Sequence, residues 1–258
     1  MGRLDQKNVV DTQYASTGNL DDRISLHDKY SLRRGEWFPW LFAQYDIRPG
    51  DRILELGCGT GTLWASRYDT LPAGVRLVLS DSSEVMVTSV KRKLGHEGEI
   101  EYRVIDVQDI GAPDHSFDLV IANMMLYHVP DLSKGLSEIR RVLKPDGTFY
   151  CATSGDNNIG TYLQIALKLP PSQPVKFTLQ NGTDILQAFF GKVEKRPYTD
   201  ALAVTDVRDL VAYARSLPWE ETLQSISDRE MTDALEACRK DGVISIPKEY
   251  GTFIATAD

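Results

Sequence analysis

At 258 residues, 42% hydrophobic and 26% charged, the chain has room for one sizeable core under an ordinary polar surface. No apolar run approaches the ~20 residues that span a bilayer, and the opening Met1-Gly2-Arg3-Leu4-Asp5-Gln6-Lys7 lacks a signal core and, at Lys7, the Ser/Thr that myristoylation wants. A formal charge of −8 works against a phosphate-backbone partner, and the scattered Cys58, Cys151 and Cys238 offer no zinc spacing and suit a reducing, cytoplasmic setting.

The first ~50 residues read as helical and aromatic-rich, with Tyr14, His27, Tyr30, Trp37, Trp40 and Phe42. Leu20, Ile24, Leu26 and His27 fall near one helical face, as do Trp37, Trp40 and Leu41. Pro49-Gly50 marks a turn, after which strands and helices alternate. Strands are predicted at Arg52–Leu56, Arg76–Ser80, Ile100–Ile105, Phe117–Ala122 and Thr148–Thr153. Helices are predicted at Thr62–Tyr68, at Glu84–Leu94 behind a Ser82 or Ser83 cap, and at Leu132–Val142 before the stop Lys144-Pro145-Asp146-Gly147. Further on come helices at Ile159–Leu169, Thr183–Phe190, Asp206–Ser216 and Ser227–Lys240, a sixth strand at Lys192–Tyr198 and a last one at Tyr250–Thr256. Such alternation predicts an α/β fold: a doubly wound, mostly parallel seven-stranded sheet with helices on both faces. The organisation expected is an N-terminal helical cap (1–48), an α/β core (49–156), and remaining core strands with helical insertions (157–258) in a single domain.

Within the first strand and its turn, Ile53-Leu54-Glu55-Leu56-Gly57-Cys58-Gly59-Thr60-Gly61 reads as a buried strand running into a glycine turn. Gly57, Gly59 and Gly61 permit a sharp turn and close approach of a ligand to backbone, and a helix starting near Thr60 would aim its free N–H groups at that ligand. The spacing is tighter than the G-x-G-x-x-G of dinucleotide sites, and no Tyr-x-x-x-Lys or similar hydride-transfer set accompanies it. Cys58, inside the turn, also suits a small packing residue.

Ligands of doubly wound sheets sit beyond the C-terminal strand ends. Asp81, ending the second strand with Ser82 behind it, can accept both hydroxyls of a ribose or cap the next helix. Asp106 and Val107, ending the third, can meet an exocyclic amine and a ring nitrogen. Met86 suits either the core or the face of an adenine.

The stretches E-L-G-C-G-T-G, F-D-L-V-I-A-N-M-M-L-Y-H-V-P-D and E-I-R-R-V-L-K-P-D-G, in this order with Asp81 and Asp106 between, resemble class I S-adenosylmethionine-dependent methyltransferases of the ubiquinone/menaquinone type over about residues 50–153. Asp146 stands where that family usually has glycine. The resemblance implies S-adenosylmethionine as cofactor and S-adenosylhomocysteine as product. It implies that Glu55, Gly57 and Gly59 hold the amino-acid part, Asp81 the ribose, Asp106 and Val107 the adenine, and the Asn123 backbone the methionine amino group. The flanks around Asn19–Ser31 and Phe177–Gly182 resemble a less characterised bacterial branch.

Methyl transfer needs chiefly an in-line nucleophile, helped by a base when the acceptor is acidic. Of four histidines, His96 and His115 lie in polar turns. His128 follows the fourth strand and suits either a base or a structural residue. His27 lies in the segment that closes over the cofactor in relatives. Tyr14, Tyr30, Trp37 and Tyr127 could wall an aromatic pocket or meet the sulfonium. Residues 154–190 and 200–248 are left as the substrate lid. The expected protein is a cytoplasmic monomer or homodimer that methylates a small molecule at O, N or C, without metal, nucleic acid or membrane. A protein or RNA methyltransferase and a non-catalytic S-adenosylmethionine-binding protein are the alternatives.

Overall fold

A computed structural model describes residues 25–95, 99–170, 174–217 and 221–257. The expectations placed on Tyr14, Leu20, Ile24 and His96 lie outside these residues. Seven strands, β1 (Arg52–Leu56), β2 (Arg76–Asp81), β3 (Ile100–Val104), β4 (Phe117–Ile121), β5 (Leu143–Ser154), β6 (Lys192–Val204) and β7 (Ile244–Thr256), form one sheet in the order β3-β2-β1-β4-β5-β7-β6. β1 to β5 pair in parallel, while β7 runs antiparallel to both β5 and β6. The doubly wound reading is thereby met. The order reverses between β1 and β4, and at that crevice such sheets bind ligands.

Successive side chains on the central strands go to opposite faces, and both faces are apolar because both are covered. Leu54, Leu56, Val78, Val120 and Phe149 join Leu136, Ile139 and Val142 of α3 (Leu132–Val142) on one face. Ile53, Leu77, Leu79, Leu119 and Ile121 meet Leu41 of α1 (Trp37–Phe42), Val90 of α2 (Glu84–Leu94) and Trp64 on the other. Each fully buried Leu or Ile contributes about 1.5–3 kcal/mol. α2 starts on Ser83, whose side chain accepts from Met86 N, and α3 on Asp131, which accepts from Lys134 N.

Four expectations need correction. No α-helix forms at Thr62–Tyr68: the chain makes successive turns ending in a 3-10 turn at Tyr68–Thr70. Trp64 draws this segment inward, because its fully buried indole donates to Glu55 beneath it. The 200–248 segment is not wholly a helical insertion either. β6 runs on to Val204 and β7 begins at Ile244, so the two pair over thirteen positions as a long ribbon. The helices α6 (Val207–Arg215), α7 (Glu221–Ser225) and α8 (Asp228–Glu236) sit at its far end. Likewise β5 starts at Leu143, so Lys144-Pro145-Asp146-Gly147 is strand rather than turn. The lid helices α4 (Ile159–Ala166) and α5 (Gly182–Gln187) are shorter than predicted.

The ribbon carries its own core of Leu202, Val204, Ile244 and Ile246 with Leu210, Met231 and Leu235. Leu26 and Tyr30 of the helical residues 25–30 join it. The chain then lies along the β6 edge, where Ser31 bridges Leu202 and Leu32 N donates to Ala201 O at 2.9 Å. An otherwise open strand edge is thus covered.

Candidate cofactor and acceptor site

The glycine turn leaves β1 with Gly57, Gly59 and Gly61 at φ of +70°, +53° and +71°. L side chains rarely adopt these angles, which is why the turn uses glycine. Cys58 N donates to Ser80 O at 2.8 Å, and Gly59 N donates to Asp81 Oδ2 at 3.0 Å. The other Asp81 oxygen accepts from Ser83 N at 2.9 Å. Asp81 therefore clamps the turn to α2 while standing half-buried at the crevice, with Ser82 exposed beside it. Burial raises its carboxyl pKa, opposed by the N–H groups of Ser83, Gly59 and Ser82.

Glu55 is 3% exposed, and Trp64 Nε1 donates to its Oε2 at 2.6 Å. Burial pushes its carboxyl up to about 7, while Trp64 and Asn123 hold it down and Asp81 lifts it again. Asn123, just past β4, donates through Nδ2 to the Tyr45 hydroxyl at 2.8 Å, and its buried Oδ1 has no partner. A buried acceptor without a donor is costly. With Glu55 and Asp81 it makes a set of oxygen acceptors suited to an amino group and a ribose diol. The residues present therefore fit S-adenosylmethionine. Tyr45 and Trp64 are part of this network and were missed: each is linked to its partner only through the folded chain.

Met125 lies on the turn, where a Cβ on Gly57 would stand 2.9 Å from its Cβ and Cγ. The Cys58 thiol is pushed well up by burial, and its Sγ faces Gly59 O at 3.7 Å, the behaviour of a packing residue. Asp106 is exposed and accepts from Gln108 N at 2.9 Å, shaping its own turn, while Val107 beside it is buried. Met86 is 1% exposed, already packed against protein.

The structure moves Tyr30 away from the glycine turn. It is buried in the ribbon's core, and its hydroxyl donates to Asp209 Oδ2 at 2.5 Å, so it is not brought together with the cofactor set. His128 is half-buried at the end of the 3-10 turn Leu126–His128, its ring 4.5 Å from that of Tyr127. His27 faces Tyr250, with Nε2 3.4 Å from the hydroxyl. Tyr250 was missed, because only the antiparallel pairing of β7 carries it to the crevice side.

Residues 54–151 match a family described as a methyltransferase domain. A demethylmenaquinone methyltransferase of Symbiobacterium thermophilum is 33% identical over 126 residues, covering 46% of this chain and 50% of that protein. A ubiquinone/menaquinone biosynthesis C-methyltransferase of Hydrogenovibrio crunogenus is 38% identical over 104 residues, covering 39% of this chain and 41% of that protein. The chain thus spans half or less of these curated relatives. Among solved structures, the YcgJ protein of Bacillus subtilis superposes with a TM-score of 0.61 at 16% identity, covering 86% of this chain and 98% of that one. With the motif-bearing stretch matched and the sheet order in place, residues 54–151 form a methyltransferase domain on a seven-stranded doubly wound sheet.

Proposed function

We propose that the protein transfers a methyl group from S-adenosylmethionine to a small-molecule acceptor and releases S-adenosylhomocysteine. The observation that carries this reading is the Gly59 N–H bond to Asp81, which sets a backbone turn and a carboxylate side by side at the switch point. In it Asp81 takes the ribose hydroxyls. Glu55 and the unpaired Asn123 Oδ1 take the cationic amino group. Val107 and the exposed carboxylate of Asp106 meet the adenine. When bound, the sulfonium supplies an electrophilic methyl. The protein's part is to orient the acceptor, exclude water and accept a proton, for which His27 and His128 are the candidates.

A small acceptor fits the charge pattern better than nucleic acid. Within the basic run Lys192, Lys195 and Arg196, Lys195 Nζ donates to Leu179 O, and Arg196 pairs with Glu194 and Gln44. None of the helices among the described residues is long and apolar enough to cross a membrane.

Calorimetric titration of S-adenosylmethionine and S-adenosylhomocysteine tests the reading, with Asp81→Ala alongside. Micromolar binding lost in the variant is the expected result. A folded protein that binds neither nucleoside overturns it.

A further inference from the structure

Past the C-terminal end of β5, on the β6–β7 ribbon, aromatic side chains cluster. Tyr198 and Tyr250 stand opposite each other on β6 and β7. Trp37 meets both rings edge-on, 5.2 Å from each centroid. His27 reaches Tyr250 from the helical residues 25–30, its ring 6.0 Å away, and Tyr213 of α6 packs edge-on against His27 at 6.1 Å. Tyr127, leaving β4, acts electrostatically on the Tyr250 phenol together with Tyr213 and Asp200. Tyr250 pairs with Ser154 at the C-terminal end of β5, and only β5 separates β7 from the strand that delivers Asn123. His27, Trp37, Tyr127 and Tyr250 are all half-buried, so each keeps some surface within reach of a ligand.

The charges around the cluster select among acceptors. Lys248 Nζ lies over the Tyr250 ring at 5.1 Å and is held by Asp200 at 3.2 Å and Ser31 at 2.8 Å. The Arg33 guanidinium lies over the Tyr198 ring at 4.4 Å and pairs with Glu36 at 2.8 Å. The Tyr198 and Tyr250 rings thus each already carry a protein cation, neutralised by its own carboxylate. On these two rings an ammonium would compete with a resident cation, whereas a flat neutral ring can stack without displacing charge. Burial keeps the Tyr250 phenol well above its ordinary pKa, so its hydroxyl is a donor at neutral pH.

We propose that Tyr250 and His27 form a proton relay for a planar acceptor whose nucleophile is a ring hydroxyl. The acceptor hydroxyl donates to Tyr250 Oη, and the proton of Tyr250 passes to His27 Nε2. The acceptor O–H bond breaks and its electron pair stays on oxygen as the nucleophile. Tyr250 ends as the neutral phenol it began as, and the imidazolium returns its proton to solvent. Tyr127, Tyr213, Asp200 and Lys248 face this pair, and Asp28 acts on Lys248. The relay rests on the methyltransferase reading above.

The test is binding of 2-naphthol, whose neutral and ionised forms absorb differently, in the presence of saturating S-adenosylhomocysteine. Wild type, Tyr250→Phe and His27→Gln are compared across pH, with phenyltrimethylammonium as the cationic probe. The wild type is expected to bind naphthol and to lose affinity as the pH falls. Tyr250→Phe should bind it about tenfold more weakly, as for one lost hydrogen bond, with a flattened pH profile and unchanged S-adenosylhomocysteine affinity. His27→Gln should lose the pH dependence alone. Equal naphthol binding by all three proteins, or tighter binding of the ammonium probe, overturns the relay while nucleoside binding persists. Loss of nucleoside binding by the wild type itself instead overturns the methyltransferase reading.

Discussion

Replacing Glu55 by Gln should flatten the dependence of stability on pH. Burial raises the Glu55 carboxyl from 4.5 to about 7, so the folded protein holds this proton more tightly than the unfolded chain does. The resulting stabilisation is complete below about pH 4.5 and is lost as pH rises towards about 7. A shift of this size corresponds to roughly 3 kcal/mol, and with Glu55 3% exposed, solvent screens little of it. Glutamine keeps an oxygen for the Trp64 indole, 2.6 Å from Oε2, but has no proton to lose. Urea unfolding of both proteins across this window, with the slopes checked for equality, should find the wild type losing up to that amount relative to Glu55→Gln. Parallel profiles would refute a buried, proton-holding Glu55. A cationic amino group arriving beside Glu55 should reverse the penalty and expel the proton. S-adenosylmethionine binding near neutral pH should then release protons, read as a dependence of binding heat on the ionisation enthalpy of the buffer.

Asp81→Ala removes the acceptor for Gly59 N and the candidate ribose ligand together, and should weaken S-adenosylhomocysteine binding at least about tenfold by calorimetry; unchanged affinity would take Asp81 out of the site. Gly57→Ala forces an L residue to φ +70° with its Cβ 2.9 Å from Met125, and should lower stability by about 1–3 kcal/mol in denaturant titrations. Adding Met125→Ala should recover part of that loss if the contact is its source. Lys248→Met strands the Asp200 carboxylate inside the ribbon, where the two side chains are 6% and 0% exposed, and should cost about 3–5 kcal/mol. Adding Asp200→Asn, which keeps an acceptor for Arg33 N and Ala201 N, should restore most of it; a double variant as unstable as the single one would place the cost elsewhere.

What could be read from the chain separates by how far apart the interacting residues lie. α2 and α3 match their predicted bounds because their caps, Ser83 and Asp131, act on N–H groups three residues on. β1, β2 and β4 are legible because burial on both faces leaves short, mostly apolar runs, broken by single charged residues such as Glu55 and Asp118. The segment after the glycine turn defeats that logic: its pattern permits a helix, but Trp64 is claimed by Glu55, and one buried indole outweighs a short stretch's helical preference. The ribbon fails for a related reason. Ala201-Leu202-Ala203-Val204 reads as strand only once Ile244 and Ile246 lie opposite, and those partners are forty residues away. The same division runs through the candidate site. The cofactor half is built from turns and strand ends, with Gly59 and Asp81 only 22 residues apart. In the aromatic cluster, His27 and Tyr250 are 223 residues apart and meet only when the N-terminal segment docks on the ribbon. Two halves assembled so differently can change independently. A substitution in residues 25–32 or along the ribbon can reshape the candidate acceptor site without touching the glycine turn, so family motifs point to a candidate cofactor site in this chain while the acceptor has to be read from the folded surface.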